Sequence, residues 1–225
     1  VCVCFATVGE DQFTKLTDAL GMDFRPSLVE VQKLHDEACR LECGGDFVPA
    51  TVLLERALRI VETNSAAEDR DAPLVLTRLA GVLTEQGEFA KAEDCLKRAL
   101  EIGRERLGSD HPVVAGVLLG QAALRETQGN LDEALSLSLR SLAILERSLG
   151  REHLVVGLCL HRIGSICSNQ YKSKEALAAL ERNRSIVEKT LGADHFLMAG
   201  VLEQFSSVYR EQGDYKNALA YARRS

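Results

Sequence analysis

The chain has 225 residues, of which 46% are hydrophobic and 27% are charged, and its formal net charge is −6. This composition is typical of a folded protein, and the negative charge disfavours a nucleic-acid partner because a phosphate backbone would be repelled. No run of 18 apolar residues occurs, so the sequence predicts no membrane insertion. Leu, Ala, Glu, Lys and Arg dominate, which favours an all-α fold.

The first predicted segment comprises residues 1–26 and contains a short helix over residues 9–21. Ser27 is expected to be the N-cap of the helix that follows. The chain starts with Val1 rather than Met, which indicates a fragment or a processed product. The short helix is expected to cap one end of the structure that follows.

Residues 27–225 contain a repeat of 42 residues without insertion or deletion. The motif Leu-Gly-x-acidic-His recurs at this spacing, beginning at Leu107, Leu149 and Leu191. Two further columns hold small residues. The alanines are Ala50, Ala92, Ala134, Ala176 and Ala218, and the glycines are Gly45, Gly87, Gly129 and Gly213, with Tyr171 at the remaining position. Five units are predicted, starting near residues 27, 69, 111, 153 and 195, and the last unit stops inside its second helix.

Each unit divides at its glycine into two stretches with apolar residues at helical spacing, for example 112–128 and 131–149. The glycine supplies the left-handed backbone that ends a helix, Pro112 fits a first turn, and the alanine allows close helix packing. One helix pair cannot bury its apolar face alone. The units are therefore predicted to stack into a right-handed α-solenoid whose concave wall is built from the first helices.

These columns resemble the tetratricopeptide repeat, and the 42-residue period is similar to that of the kinesin light chain branch of this family. Residues 87–115 carry the resemblance most fully and read GEFAKAEDCLKRALEIGRERLGSDHPVVA. The resemblance extends over residues 27–225. It implies a non-catalytic protein-protein interaction scaffold without a cofactor, which binds a peptide or another extended segment of a partner in its concave groove.

The family's pattern also places certain turns of each first helix in that groove. Their side chains are mostly small or polar and include more acids than bases, so the expected occupant is a basic or neutral segment. The predicted groove residues are Gln32, His35, Glu42, Thr77, Thr84, Glu85, Leu119, Glu126, Thr127, His161, Ser165, Asn169, Glu203, Ser207 and Arg210. The alternative is a structural or assembly subunit of a large complex, held by its convex and end faces.

Three residues, His35, Cys39 and Cys43, follow one helix face and raise the alternative of a zinc site. No fourth ligand is identifiable, and buried cysteines between helices explain the pattern equally well, so no metal is predicted. His111, His153 and His195 recur with the period of the fold, which indicates a structural role. The sequence contains no phosphate loop or nucleophile motif, and no catalytic residue is predicted.

The seven cysteines are odd in number and scattered, which favours a reducing compartment. The cytoplasm is the expected location, and an organelle stays open as an alternative. Cys2 and Cys4, like Cys159 and Cys167, are expected to be apolar filler rather than redox centres.

Some positions depart from the repeat. Tyr171 replaces a glycine, and Arg125, Asn183 and Arg184 interrupt apolar helix faces. These departures predict that the turn of the fourth unit is weakened, and that units three and four bend away from regular stacking and expose a polar contact surface.

Overall fold

The computed structural model describes residues 28–223, which form helices joined by short turns. The helices of this range are α1 (Val29–Gly44), α2 (Phe47–Glu62), α3 (Ser65–Glu85), α4 (Phe89–Arg106), α5 (Pro112–Thr127), α6 (Leu131–Leu149), α7 (Leu154–Asn169), α8 (Ser173–Leu191), α9 (Phe196–Glu211) and α10 (Tyr215–Ala222). The all-α prediction is confirmed. The predicted helix over residues 9–21 and Ser27 lie outside the described residues, and Leu28 occupies the N-cap position of α1.

Successive helices pair as α1–α2, α3–α4, α5–α6, α7–α8 and α9–α10, which gives one hairpin per unit. The first helix of each later unit also packs against the second helix of the unit before it. Each of these first helices is therefore sandwiched between two second helices. This explains why α7 buries residues around most of its circumference, whereas a second helix such as α6 buries only one stripe. The result is the predicted right-handed α-solenoid.

The turn inside each unit is closed by two backbone hydrogen bonds. In the third unit, the Gly129 N–H donates to the Glu126 carbonyl (2.9 Å) and the next N–H donates to the Arg125 carbonyl (2.8 Å), with Gly129 at φ 79°. In the fourth unit, Tyr171 adopts φ 58° and its N–H makes the same bond to Ser168 at 2.7 Å. The turn of the fourth unit therefore keeps the geometry of the other turns, and the weakening predicted for it concerns the energy of a side-chain-bearing residue in the left-handed conformation.

Small residues allow close helix packing at two kinds of position. The alanines of the repeated column are buried, as predicted. A further close approach occurs at Gly120 in α5, where an added Cβ would lie 2.8 Å from the Leu96 side chain and 2.9 Å from the Thr77 side chain. Gly120 therefore lets α5 pack tightly against α3 and α4 at the junction of the second and third units.

The last three turns between units are capped by histidines, whereas Asn64 at the first turn makes no side-chain cap. The Nδ1 atoms of His111 and His153 each accept a hydrogen bond from the backbone N–H two residues later, at 3.2 Å, and His195 does the same at 3.3 Å. Because Nδ1 is the acceptor, the proton of the neutral ring lies on Nε2. The predicted structural role of these histidines is confirmed.

In units three and four, the residues that depart from the repeat are either buried or in contact with a side chain of another unit. Arg125 makes an ion pair with Glu93 of the preceding unit (3.1 Å), Asn183 is buried, and the guanidinium of Arg184 lies 5.9 Å from the centre of the Phe205 ring. These residues do not form the exposed polar surface that was predicted. The two arginines are accommodated because neighbouring units supply a carboxylate and an aromatic ring, whereas the Oδ1 atom of Asn183 is buried against α7 without a hydrogen-bond donor within residues 28–223.

Replacing Tyr171 with glycine is expected to stabilise the chain. A left-handed conformation costs a side-chain-bearing residue about 1–2 kcal/mol, and the added freedom of glycine in the unfolded chain offsets part of that gain. We expect the free energy of unfolding, measured by urea denaturation, to rise by about 1 kcal/mol. The matched change Gly129→Ala should lower it by a similar amount, and a Tyr171→Gly variant less stable than the parent would contradict the account.

Gly120→Ala is expected to lower the free energy of unfolding by about 1–3 kcal/mol, because overpacking forces side chains or helices to shift. The control is Gly81→Ala in α3, where an added Cβ meets nothing within 4 Å. That change should raise stability by about 0.5–1 kcal/mol through helix propensity alone. Thermal unfolding of both variants measures the difference, and equal effects would rule out steric contact as the cause.

Candidate partner-binding surface

The first helices form a continuous surface through contacts between units. An ion pair joins α1 to α3, helix packing joins α3 to α5, an ion pair joins α5 to α7, and both packing and a hydrogen bond join α7 to α9. We call this surface the first-helix face. The predicted groove residues lie on its five helices.

Two predicted groove acids are held by arginines of the next unit. Glu42 Oε1 lies 2.9 Å from Arg78 Nε, with side chains 9% and 17% exposed, and Glu126 Oε2 lies 2.9 Å from Arg162 Nη1, with both side chains 20% exposed. Ser165 also donates to Glu126 at 3.4 Å. These carboxylates therefore join units together, and their charge is compensated.

The threonines of the predicted set use their hydroxyl protons within their own helices. Thr77 donates to the Pro73 carbonyl at 2.6 Å, Thr84 donates to the Ala80 carbonyl at 2.8 Å, and Thr127 makes the equivalent bond in α5 at 3.1 Å. Such bonds to the preceding turn leave the hydroxyl oxygen as an acceptor only. Thr84 is also buried, so it is not accessible to a partner.

The remaining predicted residues differ in exposure. Six are half-buried, namely Gln32, His35, Leu119, His161, Ser165 and Ser207. Four are exposed, namely Glu85, Asn169, Glu203 and Arg210. The exposed polar side chains are concentrated on α7 and α9. Beside them, Gln204 of α9 has a buried Oε1 atom with no hydrogen-bond donor within residues 28–223.

His161 is the predicted residue with the most altered chemistry. Burial, reinforced by the positive charge of neighbouring Arg162, lowers its pKa to about 4. The ring is therefore neutral at physiological pH, where it has one donor and one acceptor nitrogen. It contributes a polar but uncharged group to the first-helix face.

The predicted alternative of a zinc site at His35, Cys39 and Cys43 is not supported. Across residues 28–223, no group of three or more His, Cys, Asp or Glu side chains has an arrangement suited to a metal ion. Cys39 is buried, accepts a hydrogen bond from the guanidinium of Arg78, and has its pKa raised to about 11 by burial.

The other predicted cysteines are also structural where they are described. Cys159 donates to the Ser138 carbonyl at 3.4 Å, and burial raises its pKa to about 12. Cys167 is buried, and burial raises its pKa as well. Both therefore carry protonated thiols rather than reactive thiolates. Cys2 and Cys4 lie outside the described residues.

Sequence reasoning missed the arginine partners of the two groove acids. The signal is present, because Arg78 and Arg162 follow Glu42 and Glu126 by 36 residues in each case. That interval joins the end of one first helix to the middle of the next. Recognising it requires knowing that first helices of successive units are neighbours, which the fold supplies.

Stacked helical hairpins of fixed length define a helical-repeat protein, a class that generally presents extended surfaces to other proteins. A model of the tetratricopeptide repeat family matches residues 71–147 and 113–182. The chain belongs to this family, whose members are generally protein-interaction scaffolds. Over residues 28–223, no helix is both long and apolar enough to cross a membrane.

Solved structures share the fold at low sequence identity. BtubC (BKLC) from P. vanneervenii is 20% identical, with 86% of this chain and 77% of that chain covered and a TM-score of 0.69. A putative kinesin light chain from Podosopora anserina, with nearly identical TPR-like repeats, is 22% identical over 86% of this chain and 92% of that one, with a TM-score of 0.64. A thermophilic TPR protein of Thermus thermophilus is 18% identical over 85% of this chain and 87% of that one, with a TM-score of 0.57. The comparison with curated proteins found no match.

The lowered pKa of His161 predicts a pH dependence of stability. Its pKa falls from 6.5 to about 4 on folding, so between these values the unfolded chain binds a proton that the folded chain does not. Stability from this group is complete above pH 6.5 and is lost as the pH falls toward 4, by about 3 kcal/mol in total. His161→Gln should remove this component.

The measurement is the free energy of unfolding by urea at about pH 7 and about pH 4.5 for the parent and the variant, together with NMR titration of the imidazole. The difference between the two proteins isolates His161 from the carboxylates, which titrate in both. Parallel pH profiles, or an imidazole that titrates near its usual pKa, would disprove the prediction.

Proposed function

We propose that the chain is a non-catalytic scaffold that binds an extended segment of a partner protein on the first-helix face, across α7 and α9. The observation that carries the proposal is the cluster of exposed polar side chains there, Asn169, Glu203 and Arg210, beside the small residues Ser165 and Ser207. Small residues leave space for a peptide backbone, and the polar groups around them supply hydrogen bonds.

An extended peptide presents backbone N–H and C=O groups at regular intervals. Neutral His161 and the amide of Asn169 each offer both a donor and an acceptor. The surface can therefore satisfy both kinds of backbone group.

Charge favours a basic or neutral segment. Because Glu42 and Glu126 are paired with arginines, the exposed charges among the predicted groove residues are Glu85, Glu203 and Arg210. The acids outnumber the bases. A partner with lysine or arginine beside its extended segment gains electrostatic attraction, whereas an acidic segment is repelled.

The second candidate is a subunit held in a complex by its second helices. Large apolar side chains are exposed on them, including Val48 and Val52 of α2 and Tyr215 and Leu219 of α10. Apolar groups grouped at both ends of the described range favour contacts with neighbouring subunits. In this case the first-helix face is incidental to binding.

The two candidates are distinguished by peptide selection on the full chain. Random peptides displayed on phage are selected, and the affinities of the enriched peptides are measured by fluorescence anisotropy. We expect extended peptides with basic residues, and we expect Asn169→Ala and Glu203→Ala each to weaken binding roughly five- to tenfold through loss of one hydrogen bond or charge contact.

The matched control is Glu101→Ala, which removes an exposed acid from the second helix α4. Its binding should equal that of the parent. Peptides that are insensitive to the α7 and α9 variants but are weakened by Leu219→Ser would support the second candidate. Failure to enrich any peptide would overturn the proposal of a peptide-binding face.

A further inference from the structure

The second helices carry their own recurring ion pairs. An arginine occupies the same place in each of four units, at Arg56, Arg98, Arg140 and Arg182. Two of these arginines bind a glutamate that precedes them by 36 residues in the unit before. Arg98 pairs with Glu62 at 2.7 Å, and Arg182 pairs with Glu146 at 2.5 Å. A carboxylate thus fits against this arginine at the first and third junctions.

The junction between the second and third units breaks the pattern. Arg104 stands where the glutamate is due, so it and Arg140 present two like charges instead of an ion pair. Both side chains are exposed, and neither has an ion pair or hydrogen bond with another part of residues 28–223. The position that a glutamate carboxylate occupies at the first and third junctions is therefore open to a group from another molecule.

A cavity of about 270 Å³ lies at this junction, between α4, the following turn, α5 and α6. Arg104, Arg140 and Arg147 line it together with Asp110, and Arg147 is held by Asp110 at 3.0 Å. The apolar side chains of Val114, Leu118 and Ile144 complete the lining. The cavity thus combines a net positive charge with an apolar wall.

We propose that this cavity is a second docking site, which binds an acidic segment of a partner protein. A glutamate or aspartate of the segment takes the place that Glu62 and Glu146 occupy at the other junctions, between Arg104 and Arg140. Guanidinium groups bind carboxylates through paired hydrogen bonds, and an adjacent aliphatic side chain of the segment packs on the apolar wall.

Charge distinguishes this site from the first-helix face. The first-helix face is acidic and favours a basic segment, whereas the junction cavity is basic and favours an acidic one. Because the two sites use different residues, each can be present without the other.

The test uses a fluorescent synthetic peptide of alternating glutamate and leucine, and the full chain in a fluorescence anisotropy titration. Arg104→Glu restores the acid found at the neighbouring junctions, so it should close the site by pairing with Arg140 and weaken peptide binding by about tenfold or more. The same variant should unfold at an equal or higher temperature than the parent. Loss of binding is therefore separated from loss of folding.

The matched control is Arg59→Glu, an equal charge change at an exposed position of the second helix α2. It should leave the peptide affinity within about twofold of the parent, and a peptide with lysine in place of glutamate should not bind. The proposal would be overturned if Arg104→Glu left the affinity unchanged or if Arg59→Glu weakened binding equally. It would also be overturned if inorganic phosphate displaced the labelled peptide as effectively as the unlabelled peptide does.

Discussion

The structure depends on burial of the first helices α3, α5, α7 and α9 between two second helices, one from the same unit and one from the unit before. No hairpin can cover its apolar surface alone, so the free energy of folding comes from the junctions as much as from the units. This constraint fixes a constant unit length. It also places the same position of every unit in the same environment, which is why the alanine column is buried from Ala50 to Ala218.

The same constraint explains what the sequence could and could not predict. The repeat length, the division of each unit into two helices and the buried alanine column recur in the units, so the 42-residue spacing predicts them directly. The same spacing predicts the structural role of the three histidines. The junctions are different. The exposed surface predicted around Arg125 and Asn183 is wrong because the partners that bury or pair these residues belong to other helices. Likewise, the sequence predicts Glu126 as an unpaired acid of the groove, whereas in the structure Arg162 of the next unit forms an ion pair with it.

The two proposed binding sites both include residues whose charges are not compensated at a junction between units. Where an acid and an arginine meet, as at Glu42 and Arg78, the side chains link units and their charge is compensated. Where the pairing residue is absent, the same positions face outward, as at Arg104 and Arg140. Periodic scaffolds therefore acquire individual surfaces through small departures from the repeat, with no change of backbone.

The distribution of ion pairs also bears on cooperativity. The first and third junctions carry paired charges on both rows of helices, whereas the second junction lacks pairs at the equivalent positions and has the close approach at Gly120 instead. The second junction is held instead by helix packing between α3 and α5 and by the ion pair between Arg125 and Glu93. In a quasi-one-dimensional array, the coupling between neighbours decides how many units open together. Salt screens the ion pairs of the first and third junctions but not the packing of the second, so ionic strength changes the coupling unevenly along the array.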